Sequence, residues 1–219
     1  MLLFIFDMDE VLYGYDWQRR MAGMTELTGL SLEQLRERWW HEEGEMAAEA
    51  GGFADAEVYL AAFNDAIGVE VSEADWVRIR GGAMEPWRDS IAAVRRAAEF
   101  GQVTLLTNNG PLTGKYLRQL APELVSVFGD HLFTSSDYGA RKPEPEVFQA
   151  VLARYGIDAE DAFFADDMRE NIDGALSIGI TAHHFTDAPA LLAAIEAFVA
   201  AREAFVAAKS TENPRTDSL

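Results

Sequence analysis

The sequence contains no cysteine. Disulfides, thiol nucleophiles and cysteine-ligated zinc are therefore excluded. Positive charge is scarce as well. Eighteen Lys and Arg stand against 37 Asp and Glu, a formal net charge of −19. A surface this acidic repels nucleic-acid phosphates and anionic lipid, and disfavours both as partners. A small anionic substrate stays compatible with it if a metal ion shares the site. No uninterrupted apolar run reaches the roughly 20 residues of a membrane-spanning helix. The opening run Met1-Leu2-Leu3-Phe4-Ile5-Phe6 has no basic flank and meets Asp7 at once, so it does not read as a signal peptide. The cytoplasm is the expected compartment. What remains is an ordinary globular balance, 49% hydrophobic and 25% charged, with 13 Phe to fill a core. The 219 residues leave room for one large domain or for a core with a smaller companion.

Hydrophobic patterning divides the chain. Leu2 to Phe6 is a continuous apolar run of the kind found in strands buried on both faces. From Trp17 to about Gly82 the segments around Arg19-Arg20 and at Glu33–Arg38, Asp55–Phe63 and Glu73–Arg80 read as amphipathic helices. Gly29, Gly44, Gly51-Gly52 and Gly68 separate them, and Val69–Val71 is the one candidate strand. From Pro86 onward helices and strands alternate. Strands are expected at Val103–Leu106, Leu132–Thr134, Ala162–Ala165 and Ile180–Phe185. Helices are expected at Ser90–Phe100, Glu144–Tyr155, Arg169–Ser177 and Pro189–Ala208. Such alternation predicts an α/β fold with a parallel sheet flanked by helices. A core of residues 1–14 and 84–208 would carry a small all-helical insert at 15–83. The polar segment 209–219 is expected to be disordered.

In open α/β sheets ligands bind beyond the carboxyl ends of the strands. Asp7 and Asp9 follow the first strand, Thr107 and Asn108 the second, and Asp166 and Asp167 a later one. Two carboxylates at i and i+2 point the same way and repel, which separates their roles; the competing reading makes Asp9 a turn or helix cap. Four carboxylates in one crevice call for cations. Lys142 supplies one, and a hard divalent ion with oxygen ligands is the natural second. Either of Asp166 and Asp167 alone could instead cap the helix that follows. Thr107-Asn108-Asn109-Gly110 suits phosphate oxygens, or is a plain Asn-Gly turn. Lys142 precedes Pro143 and Pro145, a stiff approach to a helix, or is a solvated loop lysine.

Taken together, Phe4-Ile5-Phe6-Asp7-Met8-Asp9, Leu105-Leu106-Thr107-Asn108, Lys142-Pro143-Glu144-Pro145 and Phe163-Phe164-Ala165-Asp166-Asp167 with Asn171 and Gly174-Ala175 resemble the four motifs of the haloacid dehalogenase-like (HAD) hydrolase superfamily. The helical insert resembles the C1 cap of its subfamily I. The resemblance covers the chain to about residue 205 and implies a Rossmann-like core with a small helical cap. It implies Asp7 as a nucleophile forming an aspartyl-phosphate and Asp9 as the acid and base. Thr107 and the Asn108 N–H would hold phosphoryl oxygens, with Lys142 neutralising charge. Mg²⁺ would be bound by Asp7, the Asp9 carbonyl and Asp167, with Asp166 and Asn171 in support; Asp166 and Asp167 compete for the direct role. Asp9 favours a phosphate ester over a halide. The expected partner is a small phosphorylated metabolite, a sugar phosphate being preferred because the cap type resembles that of several small-metabolite phosphatases, and oligomeric state is left open. A phosphatase leads, with a phosphomutase of the beta-phosphoglucomutase type and a non-catalytic binding protein as alternatives. Glu10 departs from the pattern, which most often has Gly there.

The remaining features read blandly. Gly110–Lys115 is one residue short of a phosphate-binding loop, and Tyr116 follows where Ser or Thr belongs. His183-His184 read as strand positions. Of Trp39 and Trp40, one is expected in the insert's core while the other, with His41 or Arg19, could face substrate. Tyr13 and Tyr15 lie where they could line an entrance.

Overall fold

The computed structural model describes residues 1–212. β1 (Leu2–Phe6) leads into a short β2 (Tyr13–Tyr15). Then come α1 (Trp17–Thr28), α2 (Leu32–Arg38), a π-helical turn at Glu42–Met46 running into α3 (Ala47–Glu49), α4 (Ala56–Ile67) and α5 (Glu73–Gly82). After β3 (Met84–Pro86) the chain alternates: α6 (Arg88–Ala98), β4 (Gly101–Thr107), α7 (Pro111–Leu120), α8 (Pro122–Phe128), β5 (Leu132–Thr134), α9 (Pro145–Tyr155), β6 (Ala162–Asp166), α10 (Arg169–Ser177), β7 (Thr181–His184) and α11 (Ala188–Glu212).

Five strands form one parallel sheet in the order β5-β4-β1-β6-β7. Strand alternation divides its side chains between two cores. Phe4, Phe6, Val103, Leu105 and Phe163 pack beneath α6, α8 and α11, while Leu3, Ile5, Leu106 and Phe164 pack beneath α9 and α10. Phe6 pairs with Leu105 on one side and Ala165 on the other. The chain therefore leaves β1 and β6 at one level, with Asp7 and Asp166 next, while β4 runs on through Leu106 to Thr107. No helix among the described residues is long and apolar enough to cross a membrane.

The α1–α5 segment has its own core, in which Trp39 meets Tyr59 and Phe63 edge-on at 5.4 and 5.3 Å. Ser31, Asp55 and Ser72 cap α2, α4 and α5 by accepting backbone N–H bonds. Leu112 and Leu120 of α7 join this cluster, so α7 is the platform on which the insert sits. At Gly110 a Cβ would stand 2.9 Å from Ala48 Cβ, which is why the platform begins with glycine.

The structure departs from or adds to the sequence reading at four places. Val69–Val71 is not a strand; Val71 is held through its N–H and C=O by the Asn64 side chain at 3.1 Å each. β2 and β3 form an antiparallel ribbon between sheet and insert, too short to register as periodicity. α7 and α8 each open on a proline, at Pro111 and Pro122, where its missing N–H costs nothing. α11 runs on to Glu212, so the expected disorder fails over 209–212, and 213–219 lie outside the described residues.

Glu10 explains its own departure from the glycine pattern. Its φ is +58°, and its carboxylate accepts the Tyr15 N–H at 2.7 Å while its N–H donates to the Tyr13 carbonyl at 2.7 Å. Two bonds to β2 offset a strained backbone. Glu10→Ala, which keeps the strain and loses the side-chain bond, is expected to cost about 1–2 kcal/mol, and Glu10→Gly about 1 kcal/mol less than that. Urea denaturation of the two variants checks the order.

Candidate active site

The ends of β1 and β6 bring two carboxylates against one ammonium. Asp7 follows β1, and its N–H donates to the Ala165 carbonyl at 3.0 Å, tying it to β6. Lys142 Nζ lies 2.9 Å from Asp7 Oδ1 and 2.6 Å from Asp166 Oδ2. The three groups are buried, at 7, 1 and 0% exposure for Asp7, Lys142 and Asp166. Burial pushes the Asp7 carboxyl well above the ordinary range; Lys142 opposes this and Asp166 adds to it. Burial works against the Lys142 charge, but Asp166 and Asp7 outweigh it and hold the ammonium above its usual value.

Asp166 and Asp167 differ in what they have free. Asp166 Oδ1 accepts the Met168 N–H at 2.8 Å, and Asn171 Nδ2 reaches both its oxygens at 2.9 and 3.1 Å. With Lys142 on Oδ2, both oxygens are engaged. The half-buried Asp167 carboxylate is held by no side chain among the described residues. Burial and the neighbouring Asp166 raise its pKa. One oxygen each from Asp7, Asp166 and Asp167 lies within 4.8 Å of the others. This all-oxygen donor set has more negative charge than Lys142 can offset, and suits a hard divalent cation. His183 and His184 add no ligand: His184 Nε2 is 2.8 Å from the Asp167 carbonyl, and His183 stacks on Phe163.

The loops after β4 and before α9 are clamped together. Asn108 donates from Nδ2 to the Lys142 carbonyl at 2.8 Å, and its Oδ1 accepts the Lys142 N–H at 2.9 Å. Its side chain thus fixes the lysine's backbone. Thr107, buried at the end of β4, accepts from Asn109 Nδ2 at 2.9 Å. Gly174 on α10 lets the lysine loop approach: a Cβ there would stand 2.3 Å from the Pro143 carbonyl oxygen. The Lys142–Pro143 peptide bond is cis.

Asp9 meets a residue that sequence reasoning missed. Arg80, at the end of α5 and 1% exposed, donates from Nη2 to Asp9 Oδ2 at 2.6 Å. Its guanidinium lies 4.0 Å over the Tyr15 ring. Asp9 Oδ1 is buried without a partner. Nothing local in the sequence links positions 71 residues apart. Of the aromatic candidates, Trp39 is core and Trp40 half-buried. His41 caps the π-helical turn, and Arg19 is exposed. Tyr13 is buried in the main core and donates to Glu123. Further contacts fasten the insert. Ser135 Oγ donates to the Glu49 carbonyl at 2.7 Å, Arg141 Nε pairs with Glu49 at 2.7 Å, and Lys115 pairs with Glu73 at 2.7 Å.

Comparison with known proteins agrees with this geometry. A family model described as haloacid dehalogenase-like hydrolase matches residues 1–179. The chain is 28% identical to Phosphatase MT3486 of Mycobacterium tuberculosis (strain CDC 1551 / Oshkosh), over 82% of this chain and 84% of that protein. The HAD family enzyme bt-2542 of Bacteroides thetaiotaomicron, solved in complex with magnesium and inorganic phosphate, superposes with a TM-score of 0.72 at 21% identity, covering 85% of this chain and 94% of that one. L-2-haloacid dehalogenase of Xanthobacter autotrophicus superposes with a TM-score of 0.55 at 18% identity, covering 83 and 76%. The two structures share the fold with this chain.

Glu49 gives the insert contact a pH signature. Burial raises its pKa to about 7 against the pull of Arg141. Between the ordinary value of 4.5 and about 7, the unfolded chain has released this proton and the folded one has kept it. Stability is therefore lost as pH rises across that window. Relative to wild type, Glu49→Gln is expected to gain about 1–3 kcal/mol between pH 5 and pH 8, measured by urea denaturation at the two values.

Proposed function

The chain belongs to the haloacid dehalogenase-like hydrolases, and on that premise we propose that it is a Mg²⁺-dependent phosphatase of small phosphomonoesters. The observation that carries this reading is the buried Asp7 carboxylate, 2.9 Å from Lys142 Nζ, with the acid Asp9 two residues on. The 28% identity to a protein named a phosphatase supports it. So does the magnesium and phosphate complex of a structure with the same fold.

Asp7 attacks phosphorus, forming an acyl-phosphate bond as the ester P–O bond breaks. Asp9 gives its proton to the departing oxygen, then takes one from the water that cleaves the acyl phosphate and restores Asp7. Arg80 holds Asp9 by Oδ2 and leaves Oδ1 to carry the proton. Lys142 offsets the repulsion between carboxylate and phosphate. Thr107 and the Asn108 N–H hold phosphoryl oxygens, while the Asn108 side chain and Gly174 keep the lysine in place. Asp7, Asp167 and the Asp9 carbonyl would hold Mg²⁺, which supplies further positive charge to the phosphoryl oxygens when bound. Asp166, its oxygens already engaged, and Asn171 position Lys142. Residues 15–83 form the cap, whose closure keeps bulk water from the acyl phosphate. A carboxylic acid at position 9 favours phosphate esters over halides, which need no proton on departure.

Phosphate release from a panel of phosphorylated metabolites and p-nitrophenyl phosphate, with Mg²⁺ and with EDTA, tests the reading. Asp7→Asn is expected to lower turnover by about 10³-fold or more, and EDTA to abolish it. Transfer of the phosphoryl group between substrate hydroxyls without free phosphate, or no turnover of any compound by folded protein in saturating Mg²⁺, overturns it.

A further inference from the structure

Arg20 keeps one edge of its guanidinium without an acceptor among the described residues. Its guanidinium is buried in the insert, 4% exposed, and makes no ion pair among the described residues. Nη1 donates to the Tyr15 hydroxyl at 2.8 Å. Nε and Nη2 are buried with no hydrogen-bond partner. These two nitrogens form one edge of the guanidinium fork, the edge that grips a carboxylate or phosphate through two parallel bonds. The rings of Trp40 and Trp76 lie 5.6 and 5.3 Å from the guanidinium carbon and wall it from water. The nearby acid Glu45 supports the Arg20 charge but does not fill this edge; its Oε2 accepts from Trp39 Nε1 at 2.7 Å and the Tyr59 hydroxyl at 2.8 Å.

Two buried N–H donors without an acceptor are costly, and packing alone does not require them; the other buried positions of α1 are Met21 and Met24. The place of Arg20 gives it a use. Asp9, Arg80, Tyr15 and Arg20 are linked in that order, by the Asp9–Arg80 bond, the Arg80–Tyr15 stack and the Tyr15–Arg20 bond. Asp9 is the group that meets the departing oxygen, so what lies beyond it on the insert side meets the rest of the leaving group. Arg80 repeats the pattern, with its Nε also buried and unpartnered.

We propose that the substrate carries a second anionic group, a carboxylate or a second phosphate, and that the free edge of Arg20 receives it. This deepens the phosphatase reading and rests on it for the position of the first phosphoryl group. The substrate class narrows to small phosphomonoesters of hydroxy acids or of phosphorylated alcohols. Neutral sugar or polyol monophosphates would place no anion on that edge.

The test is tryptophan-fluorescence titration with non-hydrolysable phosphonates on two- to four-carbon chains, each ending in a hydroxyl, a carboxylate or a second phosphonate. At one chain length an anionic end is expected to tighten Kd about 10- to 100-fold over the hydroxyl. Whether carboxylate or phosphonate gains more identifies the source. In Arg20→Gln the charged-to-neutral ratio should fall to near one, and in Arg20→Lys, which keeps the charge and loses the fork, it should fall part of the way. Equal Kd values for charged and neutral ends at every chain length in wild type overturn the proposal even if no variant folds; so does a ratio that survives Arg20→Gln. Hydrolysis of p-nitrophenyl phosphate, which has no second anion, is followed in parallel. Diacid binding without that hydrolysis keeps this inference and removes the phosphatase reading, and hydrolysis without a charge preference does the reverse.

Discussion

The ammonium of Lys142, enclosed between Asp7 and Asp166, is the interaction on which the site is built. Left in water those charges would interact weakly; stripped of water they must be placed within hydrogen-bond reach of one another or not be charged at all. The surrounding structure supplies that placement. Parallel pairing sets Asp7 beside the end of β6, the Asn108 amide grips the lysine's backbone, Gly174 gives its loop room, and Asn171 with the Met168 N–H occupies what Lys142 leaves of Asp166. Neutralisation is still incomplete. Burial, with Asp166 beside it, keeps the Asp7 carboxyl raised against the pull of Lys142, and the oxygens of Asp7, Asp166 and Asp167 together give a divalent cation its place.

The insert does more than cover this arrangement. Through Arg80 it holds one oxygen of Asp9, and through Glu49 it rests on the Ser135 hydroxyl and on Arg141, next to Lys142. The acid and the lysine loop therefore both sense whether the insert is seated. Both halves of the site mix charge: the strand-end carboxylates face Lys142, while in the insert the buried Arg20 lies near Glu45, and Glu49 pairs with Arg141.

The parts of the site that sequence reading found are those governed by local rules. A strand buried on both faces reads as an apolar run, and the polar residues that end it lie at the sheet's edge; Asp7, Thr107 and Asp166 follow from that alone. The acid pair at positions 7 and 9 and the stiff approach to α9 are also local. Arg80, Arg20, Ser135 and Glu49 escaped because their roles arise between elements far apart in sequence, and an arginine on an amphipathic helix reads as solvated until the facing element is known. α7 and α8 escaped for another reason. Pro111 and Pro122 resemble breaks in a loop when each is the first residue of a helix. Glu10 was visible as an anomaly, but only its left-handed backbone and its bond to Tyr15 explain how a non-glycine residue holds the turn.

The β2–β3 ribbon has a mechanical consequence. The chain crosses between sheet and insert twice, and the two crossings are bonded to each other, Tyr13 opposite Pro86 and Tyr15 opposite Met84. Two separate tethers would allow the insert to slide, twist and tilt. Zipped into one strip, they stiffen against shear and torsion and leave flexure about a single axis as the soft coordinate. The insert is thus carried on one joint, and that joint fixes the register of Arg80 over Asp9.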